Sequence, residues 1–156
     1  MGDKARMRTR TVSICLTSML AAAFVAAGSG ATSRPAQPSR LVVASSPFGQ
    51  ILFDGRRKAL YAFTKDPRGR SVCSGACAKA WPPFIVRAKP GAGPGVRSGL
   101  IGISVRADGR RQATYRGRPL YYYVGDRKPG QVLCQNVTEF GGTWLVMRAS
   151  GRLVRG

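Results

Sequence analysis

The chain has 156 residues, with 26 Lys and Arg against 6 Asp and Glu, and a formal net charge of +20 at pH 7. It contains no histidine, which excludes a Ser-His-Asp or Cys-His catalytic unit and a His-ligated zinc, copper or haem iron. Six acids leave little material for a paired-carboxylate hydrolase, and no Gly-rich loop runs into Lys and Ser or Thr to cradle a phosphate.

Arg6, Arg8 and Arg10 precede an apolar run from Ile14 to Ala27, and small residues follow at Gly28, Ser29, Gly30 and Ala31. That is the layout of a secretory signal peptide over 1–31, with cleavage after Ala27 or Ala31. The run is shorter than the roughly 20 apolar residues that span a bilayer, so no transmembrane span is expected after cleavage. Cys15 stands near the start of the run rather than after a small residue at its end, which argues against a lipid anchor there. Thr9 splits Arg8 from Arg10, so a twin-arginine signal is not supported. Residues 32–47 begin polar and Pro-rich and are expected to form a flexible tether, with Leu41-Val42-Val43 as a first edge strand. The remainder, 48–150, suits one domain with a modest core.

Gln50 to Phe53 reads as a short apolar strand, Asp54-Gly55 as a hairpin turn, and Ala59 to Thr64 as the strand returning against the first. Asp66-Pro67-Arg68-Gly69 carries the residues of a type I turn, in which the carboxylate accepts backbone N–H groups. Ser74 to Trp81 predicts a short helix, capped by Ser74 and stopped by Pro82-Pro83, that puts Cys77 and Trp81 on one face. Residues 89–95, Pro- and Gly-rich, are expected to be irregular. Leu100 to Val105 and Gln112 to Tyr115 read as a second hairpin, Arg116 to Pro119 as a turn, and Thr143 to Met147 as a last strand.

One stretch organises this list. Leu60-Tyr61-Ala62-Phe63-Thr64-Lys65-Asp66 returns as Leu120-Tyr121-Tyr122-Tyr123-Val124-Gly125-Asp126, and in each copy an Asp follows the first Tyr after four residues. Period-two spacing sends Tyr61 and Phe63 to one face and Leu60 and Ala62 to the other; Tyr121 and Tyr123 repeat this against Leu120 and Tyr122. The predicted fold is mainly β: a single domain of two pseudo-repeated antiparallel hairpin or meander units, about 48–88 and 100–148, with one short helix near 74–81. Trp144 takes the place in the second copy that Trp81 has in the first, and both are expected to anchor the core rather than to stack on a ligand.

Cys73, Cys77 and Cys134 remain after export, an odd number in an oxidising compartment. Three residues separate Cys73 from Cys77, which lets their α-carbons approach closely enough for a disulfide, the first choice of pairing. Cys73 and Cys134 also stand at related positions after Asp66 and Asp126. A bridge from Cys134 to Cys73 or Cys77, joining the halves, is therefore the alternative.

Leu60 to Asp66, the block Cys73-Ser-Gly-Ala-Cys77-Ala-Lys-Ala-Trp81-Pro82-Pro83, and Gly117 to Asp126 with Pro129-Gly130 together resemble the bacterial secreted-repeat family of predicted lipoproteins with a Tyr-x4-Asp motif. Tyr61, Asp66, Tyr121 and Asp126 match that motif. The resemblance runs from about Phe48 to Met147 and implies an exported envelope or extracellular protein with tandem repeats and no established activity. This chain departs from the lipoprotein members in lacking a lipobox, and its second copy lacks the Cys-Cys-Trp-Pro-Pro block.

After residue 31 the chain keeps 22 Lys and Arg against five acids, a formal net of +17. Such a surface is drawn to anionic envelope polymers or lipid headgroups; a dedicated nucleic-acid partner is not expected of an exported protein. Asp54 and Asp108 belong to Asp-Gly turns and Asp66 and Asp126 to the repeat turns, so all four have structural uses. No catalytic, cofactor-binding or metal-ligating residue is assigned. The first functional reading is an exported, non-enzymatic, envelope-associated structural or binding module. The second is a thiol redox or soft-metal protein using Cys73, Cys77 and Cys134.

Overall fold

Alternation along the chain decides which way each strand faces, and both faces are covered. In the computed structural model, which describes residues 39–155, Tyr61, Phe63, Tyr121 and Trp144 pack in one core with Val42, Ile51 and Phe53. Leu60, Ala62, Leu120 and Met147 pack in a second, with Leu41, Leu52 and Tyr115. Tyr61–Phe63 is buried on both faces, so its apolar run is continuous, whereas Gln112 and Thr114 are polar residues buried within Arg111–Tyr115. The expected signal peptide, 1–31, and the first part of the expected tether lie outside the described residues.

Strand β1 (Arg40–Ser46) pairs antiparallel with β2 (Gly49–Asp54), Val43 opposite Leu52. Most of β1 falls in the segment expected to be a tether. Its Leu41 is fully buried, and that burial, with the ladder to β2, outweighs the polar Pro-rich sequence just before it. The first repeat therefore begins in β1, earlier than Phe48. The second hairpin is β5 (Ile101–Val105) against β6 (Arg111–Tyr115), with β7 (Arg118–Pro119) continuing on β6; β4 (Gly91–Ala92) precedes it in the chain. β4 lies parallel to β1 inside the stretch expected to be irregular. Gly93 permits this approach, since a Cβ there would stand 2.7 Å from the Leu41 carbonyl oxygen.

The strand β3 (Tyr61–Phe63) does not return along β2 as the Asp54-Gly55 signal suggests. The residues just before it return against β2 through the Phe53–Ala59 bridge and the Leu60 N–H to Leu52 carbonyl bond, but the ladder partner of β3 is β9 (Gly142–Val146), with Tyr61 opposite Val146 and Phe63 opposite Trp144. β8 (Val137–Glu139) completes that sheet on the far side of β9. In the second copy the equivalent residues, 120–123, form bridges rather than a ladder: Tyr121 is opposite both Tyr61 and Pro83. Pro82 and Pro83 lack the N–H groups that a regular ladder needs.

These pairings relate the copies by an approximate two-fold. Tyr61 and Tyr121 each donate their N–H to the other's carbonyl at 2.9 Å, which places the axis between them. Leu52 donates to Met147 and Ala113 donates to Phe84; Leu60 donates to Leu52 and Leu120 to Ala113. The last segment of each copy thus closes the hairpin of the other. The repeats are interlocked rather than strung in tandem.

The helix α1 (Gly75–Ala80) ends at Trp81, whose N–H donates to the Cys77 carbonyl before the prolines stop it. Ser74 stands at its N-cap but makes no side-chain capping bond. The turn after Asp66 closes one residue later than expected, Arg70 N–H donating to the Pro67 carbonyl, with Gly69 at φ +74°.

Candidate functional site

The four motif residues meet at the two-fold, and they meet crosswise. The Tyr61 hydroxyl donates to Asp126 Oδ2 at 2.7 Å, and the Tyr121 hydroxyl donates to Asp66 Oδ2 at 2.6 Å. Each tyrosine bonds the aspartate of the other copy. The second oxygen of each carboxylate holds its own turn: Val72 N–H donates to Asp66 Oδ1 and Leu133 N–H to Asp126 Oδ1. The local use expected of these aspartates is therefore half of what they do.

Burial dominates the chemistry of all four. It pushes both phenols well above their ordinary range, helped by the carboxylate each one faces. Burial also raises Asp66 and Asp126, while the tyrosine hydrogen bond and the backbone donor act in the opposite direction. All four residues are buried, Asp66 being the most exposed at 7%, so they offer little surface to a reactant.

Around the same axis Trp81 and Trp144 stack face to face, ring centroids 4.0 Å apart and planes 1° from parallel. Tyr61 meets Trp81 edge-on and Tyr121 meets Trp144 in the same way, at 5.2 and 5.1 Å. Both indoles have 0% exposure. Trp81 Nε1 donates to Glu139 Oε2 at 2.9 Å, whereas Trp144 Nε1 has no partner among the described residues.

Cys73 and Cys77 form the disulfide, with α-carbons 5.3 Å apart, and Cys134 is free. The hydrogen bonds to Asp66 and Asp126 make Val72 and Leu133 equivalent, so Cys134 is the counterpart of Cys73. Its half-buried thiol lies beside the Tyr123 hydroxyl, and burial raises its pKa. No group of three or more Cys, Asp or Glu among the described residues is placed to hold a metal ion.

Two features escape a reading of the sequence. Arg106, in the hairpin turn after β5, is 7% exposed; its guanidinium donates to Ser71 Oγ, Gln112 Oε1 and the Cys73 carbonyl. Nothing in the spacing of Ala107-Asp108-Gly109 signals that the preceding arginine turns inward. The other is an open cleft of about 630 Å³ that gathers six arginines from three distant segments. Arg68 comes from the turn after Asp66, Arg116 and Arg118 from the turn before Leu120, and Arg148, Arg152 and Arg155 from a C-terminal hairpin. That hairpin closes with Met147 opposite Leu153, and Gly151 makes room in it for the Arg116 side chain. Arg118 lies below its ordinary pKa, first through burial and then through the charges of Arg68, Arg155 and Arg116.

Fold and site together define a duplicated, disulfide-braced β module whose copies complete one another. The chain belongs to the family described as a secreted repeat of unknown function, whose model matches residues 42–84 and 102–148, more than half of the chain. The protein is accordingly extracytoplasmic. No curated protein and no solved structure matches the chain. Among the described residues no helix is long and apolar enough to cross a membrane.

Proposed function

We propose that this protein is a non-enzymatic adhesion module of the cell envelope, exported by the signal peptide at 1–31 and held by charge on anionic surface polymers. One observation carries the reading: every acid among the described residues already has an intramolecular partner. Asp54 accepts from Tyr122 and from two backbone N–H groups of its turn, Asp66 and Asp126 accept from the crossed tyrosines, and Glu139 accepts from Trp81. Asp108, the fifth, pairs with Arg110 and Arg106. The other cations have no carboxylate partner among the described residues, and their field acts on the surroundings.

The crossed Tyr–Asp pairs and the stacked indoles serve as the lock that holds the scaffold rather than as its working surface. The thiol reading has less support, because burial disfavours the Cys134 thiolate that exchange or soft-metal binding requires.

Retention on purified cell wall tests the proposal. The protein should bind at about 50 mM salt and elute by about 1 M, where the screening length falls to about 3 Å. Passage straight through the wall material at low salt would sink it.

A further inference from the structure

The arginine cleft is not a feature of the repeat. Gly69 N–H donates to the Gly117 carbonyl as Gly130 N–H donates to that of Arg57, which makes Arg68 equivalent to Pro129. The matching bonds of Met147 and Phe84 make Arg148 equivalent to Ile85. Two of the cleft's cations therefore have uncharged counterparts across the two-fold. Arg152 and Arg155 lie beyond the last residue that the family model matches. Arg116 and Arg118 have cationic counterparts in Arg56 and Lys58, so what sets this side apart is the addition of Arg68, Arg148, Arg152 and Arg155.

No carboxylate lines it among the described residues, and none of its six arginines is in an ion pair. Arg68 and Arg116 each donate once to a backbone carbonyl, of Arg116 and of Ser150, leaving most of their N–H groups free. Six like charges so placed repel one another until an anion enters, and guanidinium forks hold phosphate oxygens bidentately.

We propose that this cleft is a binding site for a polymer carrying successive phosphates, a proposal that rests on the adhesion reading above and gives it an address. Six guanidinium groups from three chain segments line the cleft, enough forks to hold the several oxygens of successive phosphates bidentately. The concave form suits a chain rather than a lipid surface. None of the exposed large apolar residues, Val72, Ile85, Val105, Val124, Leu133 and Phe140, lines it, and its two apolar residues, Leu153 and Val154, are half-buried and buried, which leaves little to insert among acyl chains.

Fluorescence anisotropy of labelled inorganic polyphosphate against the whole exported chain tests this. The cleft variant Arg116→Gln/Arg148→Gln/Arg152→Gln is compared with Arg56→Gln/Arg127→Gln/Lys128→Gln, which removes equal charge elsewhere; all six positions are exposed. The cleft variant should bind at least about 30-fold more weakly at moderate salt, with a salt slope lower by about two, while the control loses less than about 3-fold. Lysine at the three cleft positions preserves charge without the fork and should fall between wild type and the glutamine variant. Equal weakening by the two glutamine variants would overturn the cleft and leave diffuse adhesion standing. Failure of the wild type to bind polyphosphate or cell wall would overturn both. Tighter binding to poly-L-glutamate, or to phosphatidylglycerol–phosphatidylcholine vesicles, than to polyphosphate would overturn the choice of a phosphate polymer.

Discussion

The hydroxyl of Tyr121 stands in a line of polar groups: Asp66 accepts from it, Ser71 Oγ stands 2.7 Å away, and Arg106 donates to Ser71. Replacing Tyr121 by Phe keeps the ring on Trp144 and removes only this oxygen, leaving a buried carboxylate oxygen without its donor. Urea denaturation of Tyr121→Phe should show a loss of about 1–3 kcal/mol, the cost of an unsatisfied buried polar group. The carboxyls make a further prediction about pH. Burial raises Asp66 and Asp126 in the folded state above the ordinary aspartate value, so between that value and their folded pKa the native protein binds more protons than the unfolded chain. Their contribution is full at low pH and is lost as pH rises through that window. Urea midpoints measured between pH 7 and about 4 should hold steady or increase as pH falls; a steady decline would contradict the assignment.

At the scale of elements the strongest local signals are legible in the sequence, and the long-range partner of β3 is not. The Tyr-to-Asp alternation, the helix stop at Pro82-Pro83 and the Asp108-Gly109 hairpin follow from local residue chemistry, and the structure has them where that chemistry puts them. The partner of β3 does not follow from it. An Asp-Gly turn predicts an adjacent hairpin, but here it is one bridge long: Leu52 gives its N–H to Met147, and β3 takes β9 from more than 80 positions away. The crossed Tyr–Asp pairs and the arginine cleft were illegible for the same reason, since each joins residues that only the exchange of closing strands brings together. The disulfide is a contrasting local device. It closes a loop of three intervening residues around the start of α1, so removing it releases little chain entropy. Cys73→Ser/Cys77→Ser should cost about 2 kcal/mol by loop length and leave the protein folded, as judged by denaturation with and without the substitutions.

For the whole molecule, interlocking explains how a chain with few acids and a large net charge stays together. Three of its carboxylates, Asp54, Asp66 and Asp126, are buried and tie one repeat to the other, and its cations among the described residues, Arg106 apart, are exposed or half-exposed. The account makes the two repeats mutually dependent, each lacking a closing strand without its neighbour. Circular dichroism of residues 39–92 and 93–156, expressed separately and then mixed, tests this most directly. Each half alone should be unfolded, and the equimolar mixture should recover the β spectrum and a cooperative melt. A half that folds by itself as a monomer, with a cooperative melt of its own, would contradict it.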